Sequence, residues 1–300
     1  MAVFSNSLDA LIELVMKVPL TAAGKNWWEG TCTGGTTTTV VDTSRYEADD
    51  YFQELSPLVQ VKIRTTTDEA APQGEVRYIA DWVQSMGTAT VHSAFSAAVE
   101  AGDTYAILYD YTWDEVKSAI NMAIDAAVQK QILLFGTDET TELVADTYEY
   151  NVPSGFIRIY RVSMEDDDGN YPNPIPPDQW KIIHGDTPKL HLYRFPLTGQ
   201  SSGHYYGNLW ADSSIVAGRH LRIEGLKRQA RLSSDTDTCE IDPNYVAYQA
   251  AAFLHASRIR QSVNDPDDHR AQFEICQGMA DRFAKAARVQ LPPDCKRVYE

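Results

Sequence analysis

The sequence predicts an α+β protein: a helical core with an inserted β region, preceded by a small all-β module of the barrel or sandwich kind. Three observations carry this. Short β-branched, period-two runs recur from Trp27 to Tyr111, separated by glycine and proline turn signals. A capped amphipathic pattern then begins at Thr112 and gives way to a second set of strand patterns. From Asp242 onward the periodicity is helical again. At 300 residues, 43% hydrophobic and 23% charged, the chain can bury a core and falls outside the disordered class.

In chain order, residues 5–18 place Leu8, Leu11, Ile12 and Val15 at helical spacing; Asn6 or Ser7 caps the helix and Pro19 ends it. The β module follows, with strands expected at 36–41 (TTTTVV), 59–65 (VQVKIRT), 75–80, 88–92 and 105–109, and one or two helical turns at 94–101. Thr112 and Glu115 form a capping box. Val116, Ile120, Ala123, Ile124, Ala127 and Val128 line one face of a helix to about Gln131. Strands are expected next at 142–150, 156–164, 180–183, 189–195 and 220–224. The proline-rich piece 172–177 between them cannot be a central strand or a helix.

Asp242 then caps a helix whose first turn holds Pro243, with Val246, Ala250, Phe253 and Leu254 inward to about Ser262. Pro266 opens another, with Ile275, Met279, Ala280 and Phe283 inward to about Val289. Residues 290–300 read as an extended arm, free unless a partner binds it.

Twenty-six basic against 42 acidic residues give a net charge of −16. That balance argues against tight, sequence-independent nucleic-acid binding and is compatible with a surface that DNA slides past. No apolar run reaches membrane-span length, the longest being interrupted at Glu13 and Lys17, and the start has no basic leader with a cleavage site. Cys32, Cys239, Cys276 and Cys295 are too far apart for a disulfide scaffold or a structural zinc site, so reduced thiols are expected.

No motif carries catalysis. Residues 31–39 contain Gly34 and Gly35 but neither a Walker lysine nor a GxGxxG order. Cys32 in a threonine-rich strand reads as packing rather than a nucleophile. His184 and His191, across a turn, are too few for a metal site. Asp166, Asp167 and Asp168 before Gly169 read as a solvated turn, not a calcium loop. No catalytic residue, metal or cofactor is expected.

One cluster opposes the global charge: Arg219, His220, Arg222, Lys227, Arg228 and Arg231, interrupted by Glu224. On a strand, Arg222 and Glu224 share a face opposite Leu221 and Ile223. The cluster is either a solvated rim or a contact with DNA phosphate or an acidic partner. Trp27, Trp28, Tyr205, Tyr206 and Trp210 lie in Gly-, Ser- and Asn-rich segments and suit a protein interface or carbohydrate stacking alike.

Several pieces then recur in one order. They are Ile120-Asn121-Met122-Ala123-Ile124; Tyr150-Asn151-Val152-Pro153 with the strand from Phe156 to Val162; Trp180-Lys181-Ile182-Ile183; Leu190-His191-Leu192; Gly218 to Ile223; and Asp242-Pro243-Asn244-Tyr245 leading to Ala250-Ala251-Ala252. This set, spanning about half of the chain, resembles the head-to-tail connector or adaptor proteins of tailed bacteriophages, including the tail tubular, gatekeeper-type proteins. The β module looks like modules of phage virion proteins.

The resemblance implies a non-enzymatic virion protein, made in the host cytoplasm. It would form a ring of twelve copies at the head–tail interface beneath the portal protein. That ring would receive tail or nozzle proteins, with tail fibres among the candidate partners, and genomic DNA would pass through it. Twelve copies would carry roughly −190 charges, which discourages DNA from sticking. The implied organisation is an N-terminal helix (1–20), the β module (21–111), the connector domain (112–289) and the arm (290–300). Leu291, Lys296, Arg297, Val298 and Tyr299 are then portal-binding candidates, and Arg219, Arg222, Lys227, Arg228 and Arg231 partner- or DNA-facing ones. The alternative is a fibre-associated or carbohydrate-binding virion module.

Overall fold

The computed structural model describes residues 4–20, 27–55, 58–144, 147–166, 168–193, 218–259, 266–292 and 295–299. Two units divide the chain: Met1–Ala126 with Arg231–Ala287, and Ala127–Ala230 with Arg288–Glu300. The fold class is mixed α+β, with five α-helices and several antiparallel sheets among the described residues.

The first unit opens with β1 (Asn6–Ser7) and α1 (Leu8–Lys17), then β2 (Trp27–Thr31), β3 (Gly34–Gly35), β4 (Thr39–Val41), α2 (Tyr51–Leu55), β5 (Gln60–Thr65), β6 (Val76–Val83), β7 (Thr88–Val91), β8 (Thr104–Leu108) and α3 (Trp113–Gln129). The unit boundary falls inside α3. Ser7 caps α1 by accepting the Ala10 N–H at 3.2 Å. Leu8, Leu11, Ile12, Val15 and Met16 are all fully buried. Burying each stabilises the unit by about 1.5–3 kcal/mol.

The seven strands β2 to β8 pair in the order β2-β8-β5-β6-β7-β4-β3. β6 joins the two halves: Val76 to Tyr78 pair with β5, and after a register shift Asp81 to Val83 pair with β7. The sheet thereby curls around one core that includes Trp28, Val61, Ile63, Trp82, Phe95 and Tyr105. Gly87, at φ 56°, sits so close to Asp42 that an added Cβ would lie 2.2 Å from its carbonyl oxygen, so only glycine fits that turn.

Two local expectations fail here. Residues 94–101 form no helix; the Phe95 and Val99 N–H groups bond to the carbonyls of Thr37 and Thr36, and both side chains drop into the core. The threonine run becomes a strand only at Thr39, because Thr36 turns the chain by hydrogen bonds to Thr38 and Thr39.

The second unit comprises β9 (Leu134–Glu142), β10 (Glu149–Asn151), β11 (Phe156–Met164), β12 (Asn173–Pro174), β13 (Trp180–Ile183), β14 (Lys189–Leu192) and β15 (His220–Lys227). β12-β11-β15-β9 form one sheet and β10-β14-β13 another. Their shared core includes Phe156, Ile159, Val162, Trp180, Leu190 and Ile223. The proline-rich piece contributes only the two-residue edge strand β12. Strand 142–150 is corrected: the strand stops at Glu142 and resumes at Glu149. The polar stretch 134–142 is strand because its partner β15 holds it. Gly225 of β15 faces Gly136 of β9. A Cβ at Gly225 would lie 2.3 Å from the Arg158 carbonyl oxygen, so the β11–β15 ladder tolerates no side chain there.

The first unit resumes with β16 (Thr238–Cys239), which pairs with β1, and the antiparallel helices α4 (Pro243–Arg258) and α5 (Pro266–Ala287). Asp242 accepts the Asn244 N–H at 2.9 Å, and Pro243 occupies the first turn. α4 is buried nearly all round, including Tyr245, Val246, Ala250, Ala251 and Leu254. On α5 Ala280 is fully buried and Phe283 half-buried, as expected, but Cys276 and Ala284 are also buried and Ile275, expected inward, is 57% exposed. Phe283 stacks on Tyr248 of α4 at 5.7 Å, while at the 275/276 step hydrophobicity alone selects Ile275 and the structure buries the smaller Cys276.

The chain ends in the second unit with β17 (Lys296–Arg297), paired antiparallel to β11. The free arm is therefore corrected. The Val298 N–H donates to the Ile157 carbonyl at 2.9 Å, and its side chain is fully buried.

Candidate functional site

β5 presents two faces. Val61 and Ile63 enter the sheet core, whereas Gln60, Lys62 and Arg64 point the other way. Helices cover that polar face. Gln60 accepts the Trp113 N–H at 2.7 Å, satisfying an otherwise unpaired donor at the start of α3. Lys62 is 1% exposed; its Nζ lies 3.0 Å from Asp9 of α1 and 2.6 Å from Asp235, with the Trp113 ring centroid at 3.4 Å. Arg64 reaches Asp9 at 2.7 Å and Glu13 at 2.6 Å. Lys17 closes the network on Glu13 and Glu29. The Lys17 hydrogen bond, then that of the Trp27 indole, holds the Glu29 carboxyl below the usual range. Sequence reasoning missed this constellation. Its signal is the alternation of Gln60, Lys62 and Arg64 on one face, but Asp9, Glu13 and Asp235 are more than fifty residues away along the chain.

A second buried polar contact joins α4 to α5: His255 Nδ1 lies 3.1 Å from His269 Nδ1. Burial, with His269 adding to it, pushes His255 down to about 4 from an ordinary 6.5. The native state therefore holds it neutral while the unfolded chain binds a proton below pH 6.5. Its stabilising contribution is complete above pH 6.5 and is lost as pH falls toward 4. The thermal midpoint is expected to drop over that window, and less steeply in His255→Gln; equal slopes in calorimetry would reject the assignment.

The basic cluster is spread over both units. Arg219, Arg222, Lys227 and Arg228 belong to the second unit and Arg231 to the first. As the alternation required, Arg222 and Glu224 lie on the face opposite the buried Leu221 and Ile223. Local carboxylates answer much of the charge: His220 to Glu165 at 2.9 Å, Arg222 to Glu139 at 3.2 Å, and Arg231 to Asp125 at 2.5 Å. Lys227 lies over the Phe156 ring at 4.4 Å. Arg219 is half-buried. Arg228 is exposed, and its side chain has no ion pair among the described residues.

The other candidates are equally specific. Leu291 and Tyr299 are exposed, Lys296 and Arg297 are strand residues, and Val298 is core. Burial pushes the Cys32 thiol up to about 12, and those of Cys239 and Cys276 up to about 11, which keeps all three protonated and poor nucleophiles. His184 Nδ1 lies 3.0 Å from the Val298 carbonyl oxygen, and His191 lies 3.4 Å from Glu149. Trp27 and Trp28 are buried against β8 rather than offered to a ligand. Tyr205, Tyr206 and Trp210 lie outside the described residues. No helix among the described residues is long and apolar enough to cross a membrane.

Compared with known proteins, residues 92–294 match the family model described as SU10 adaptor protein. The match runs from the end of β7 through α5 and covers about two thirds of the chain. No curated protein matches.

Proposed function

We infer the biological role from one premise: the chain belongs to the SU10 adaptor protein family and is a phage adaptor of the virion. In our reading, copies join head-to-tail into a ring of twelve beneath the portal. The ring receives the tail or nozzle proteins, with fibres as further candidates, and continues the channel through which DNA passes. The protein acts by mutual fit and catalyses no reaction.

The family match carries this reading. Three observations support it. Met122, Phe135 and Ile275 are each more than half exposed on helix and strand faces, as contact residues of a repeating interface would be in a single copy. The net charge of −16 per copy disfavours DNA adhesion along a channel. The buried thiols are held protonated, so cysteine chemistry has no poised nucleophile among them. The carbohydrate reading loses Trp27 and Trp28 to the core.

Negative-stain imaging and light scattering of the purified chain, with and without portal, test the reading. Rings, or assembly only on the portal, are expected. A monomer indifferent to portal would reject it.

Partner contact is assigned to the basic cluster (Arg219, Arg222, Lys227, Arg228 and Arg231) and to the exposed arm residues Leu291 and Tyr299. Arg228 is the cleanest test, because it is exposed and unpaired among the described residues. Arg228→Glu is expected to leave the melting temperature unchanged while weakening the portal complex about tenfold, an effect reduced by salt. Unaltered portal binding would return the cluster to a solvated rim.

A further inference from the structure

We propose that the cleft between β13 and β17 in the second unit is a receptor groove for an acidic, extended segment of another polypeptide. The inference rests on this unit alone and does not depend on the ring.

Two strand edges meet at this place. β13 is the outer strand of its three-stranded sheet, and β17 lies on the flank of β11. Between them is a cavity of about 350 Å³, walled by Trp180, Lys181 and His184 on one side and by Lys296 and Arg297 on the other. A second cavity, of about 310 Å³, shares His184 and is bounded by Val298 and Tyr299. Each is large enough for side chains of a bound segment, and together they extend along the arm.

The chemistry of the walls selects the occupant. Among the described residues, Lys181, Lys296 and Arg297 face one lining carboxylate, Asp178, in a chain whose net charge is −16. The cleft is thus cationic against the sign of the molecule. Part of the β13 edge is already engaged by a cation of the cleft. On β13 the Trp180 carbonyl oxygen accepts from Lys296 Nζ, which also bonds the Pro177 carbonyl, so a side-chain ammonium stands where a neighbouring strand would donate. Lys181 and Arg297, both exposed, meet the charges of a carboxylate-bearing strand. Duplex DNA fits less well. Its phosphates need a wide cationic face, whereas these cations line a cleft between two strand edges.

The arm is then a wall of the receptor rather than the ligand that reaches out. The test uses the full-length chain and a fluorescein-labelled oligoglutamate peptide, read by anisotropy. Saturable binding is expected. It should weaken about tenfold or more in Lys181→Glu/Arg297→Glu and remain unchanged in Arg282→Glu/Lys285→Glu, which carries the same net charge. If the first double variant unfolds, Arg297→Gln, at an exposed position, should still weaken binding. No saturable binding, equal loss in both double variants, or preference for duplex DNA over the peptide would each overturn the proposal.

Discussion

Replacing Lys62 by methionine is expected to lower the thermal midpoint by roughly 6–12 °C, corresponding to about 3 kcal/mol. Lys62 has almost no contact with water, yet it holds Asp9, Asp235 and the Trp113 ring at once. Removing its charge leaves Asp235 without its ion pair and Asp9 with Arg64 alone, both carboxylates now beside an apolar side chain. Those carboxylates keep 21% and 33% of their side-chain exposure, so water relieves part of the penalty, and the low end of the range for broken buried pairs applies. Adding Asp235→Asn to Lys62→Met should recover part of the loss, because the stranded charge is then gone. A midpoint shift under about 2 °C, or no recovery, would show that the network decorates the interface of β5, α1 and α3 without holding it.

Deleting residues 296–300 is expected to loosen the second unit by about 3 kcal/mol. A free tail could be cut without consequence. Here the cut removes Val298 from the core, the β11–β17 pairing, and the Val298 carbonyl that meets His184. It also takes Lys296 from the Trp180 and Pro177 carbonyls and from the Trp180 ring. Hydrogen exchange read along β11 should rise sharply in the deletion. Val298→Ala should give a smaller rise, since it keeps the backbone pairing. Unchanged protection along β11 would mean that the arm docks without contributing. Loss of portal binding in the deletion would therefore not by itself show that the arm touches the portal.

How legible the fold was in the sequence depended on how local each signal is. The reciprocal Thr112–Glu115 cap formed as read, with Thr112 N–H to Glu115 at 2.9 Å and Glu115 N–H to Thr112 at 3.2 Å. So did Asp242 and Pro243, and strands 156–164 and 180–183. Each is set by neighbours within a few residues. β9 was not legible. Its glycine, threonines and acidic residues suggest a loop, and only pairing with β15, about 85 residues further on, makes it a strand. On α5 Ala280 was read correctly, but Ile275 was misplaced: the smaller Cys276 beside it is the buried residue.

The candidate surfaces divide in the same way. The basic cluster could be named from the sequence, but not the carboxylates that answer it. Glu139 and Glu165 face Arg222 and His220 only because β9, β11 and β15 share a sheet. The arm could be named too, but not its anchoring, since one buried valine and a two-residue strand leave no periodic trace.

The sequence by itself determined the mixed α+β class, most of the helices and strands, the strongly acidic charge and the resemblance to phage adaptors, for these follow from composition, short-range periodicity and capping. Only the tertiary structure decided that a lysine on β5 would be enclosed, that two tryptophans would be core rather than surface, and that the tail would become a strand beside a cationic cleft. Those outcomes depend on groups far apart along the chain. Whether a charge is satisfied or an edge is covered is a property of who is near it in space, which no window of sequence contains.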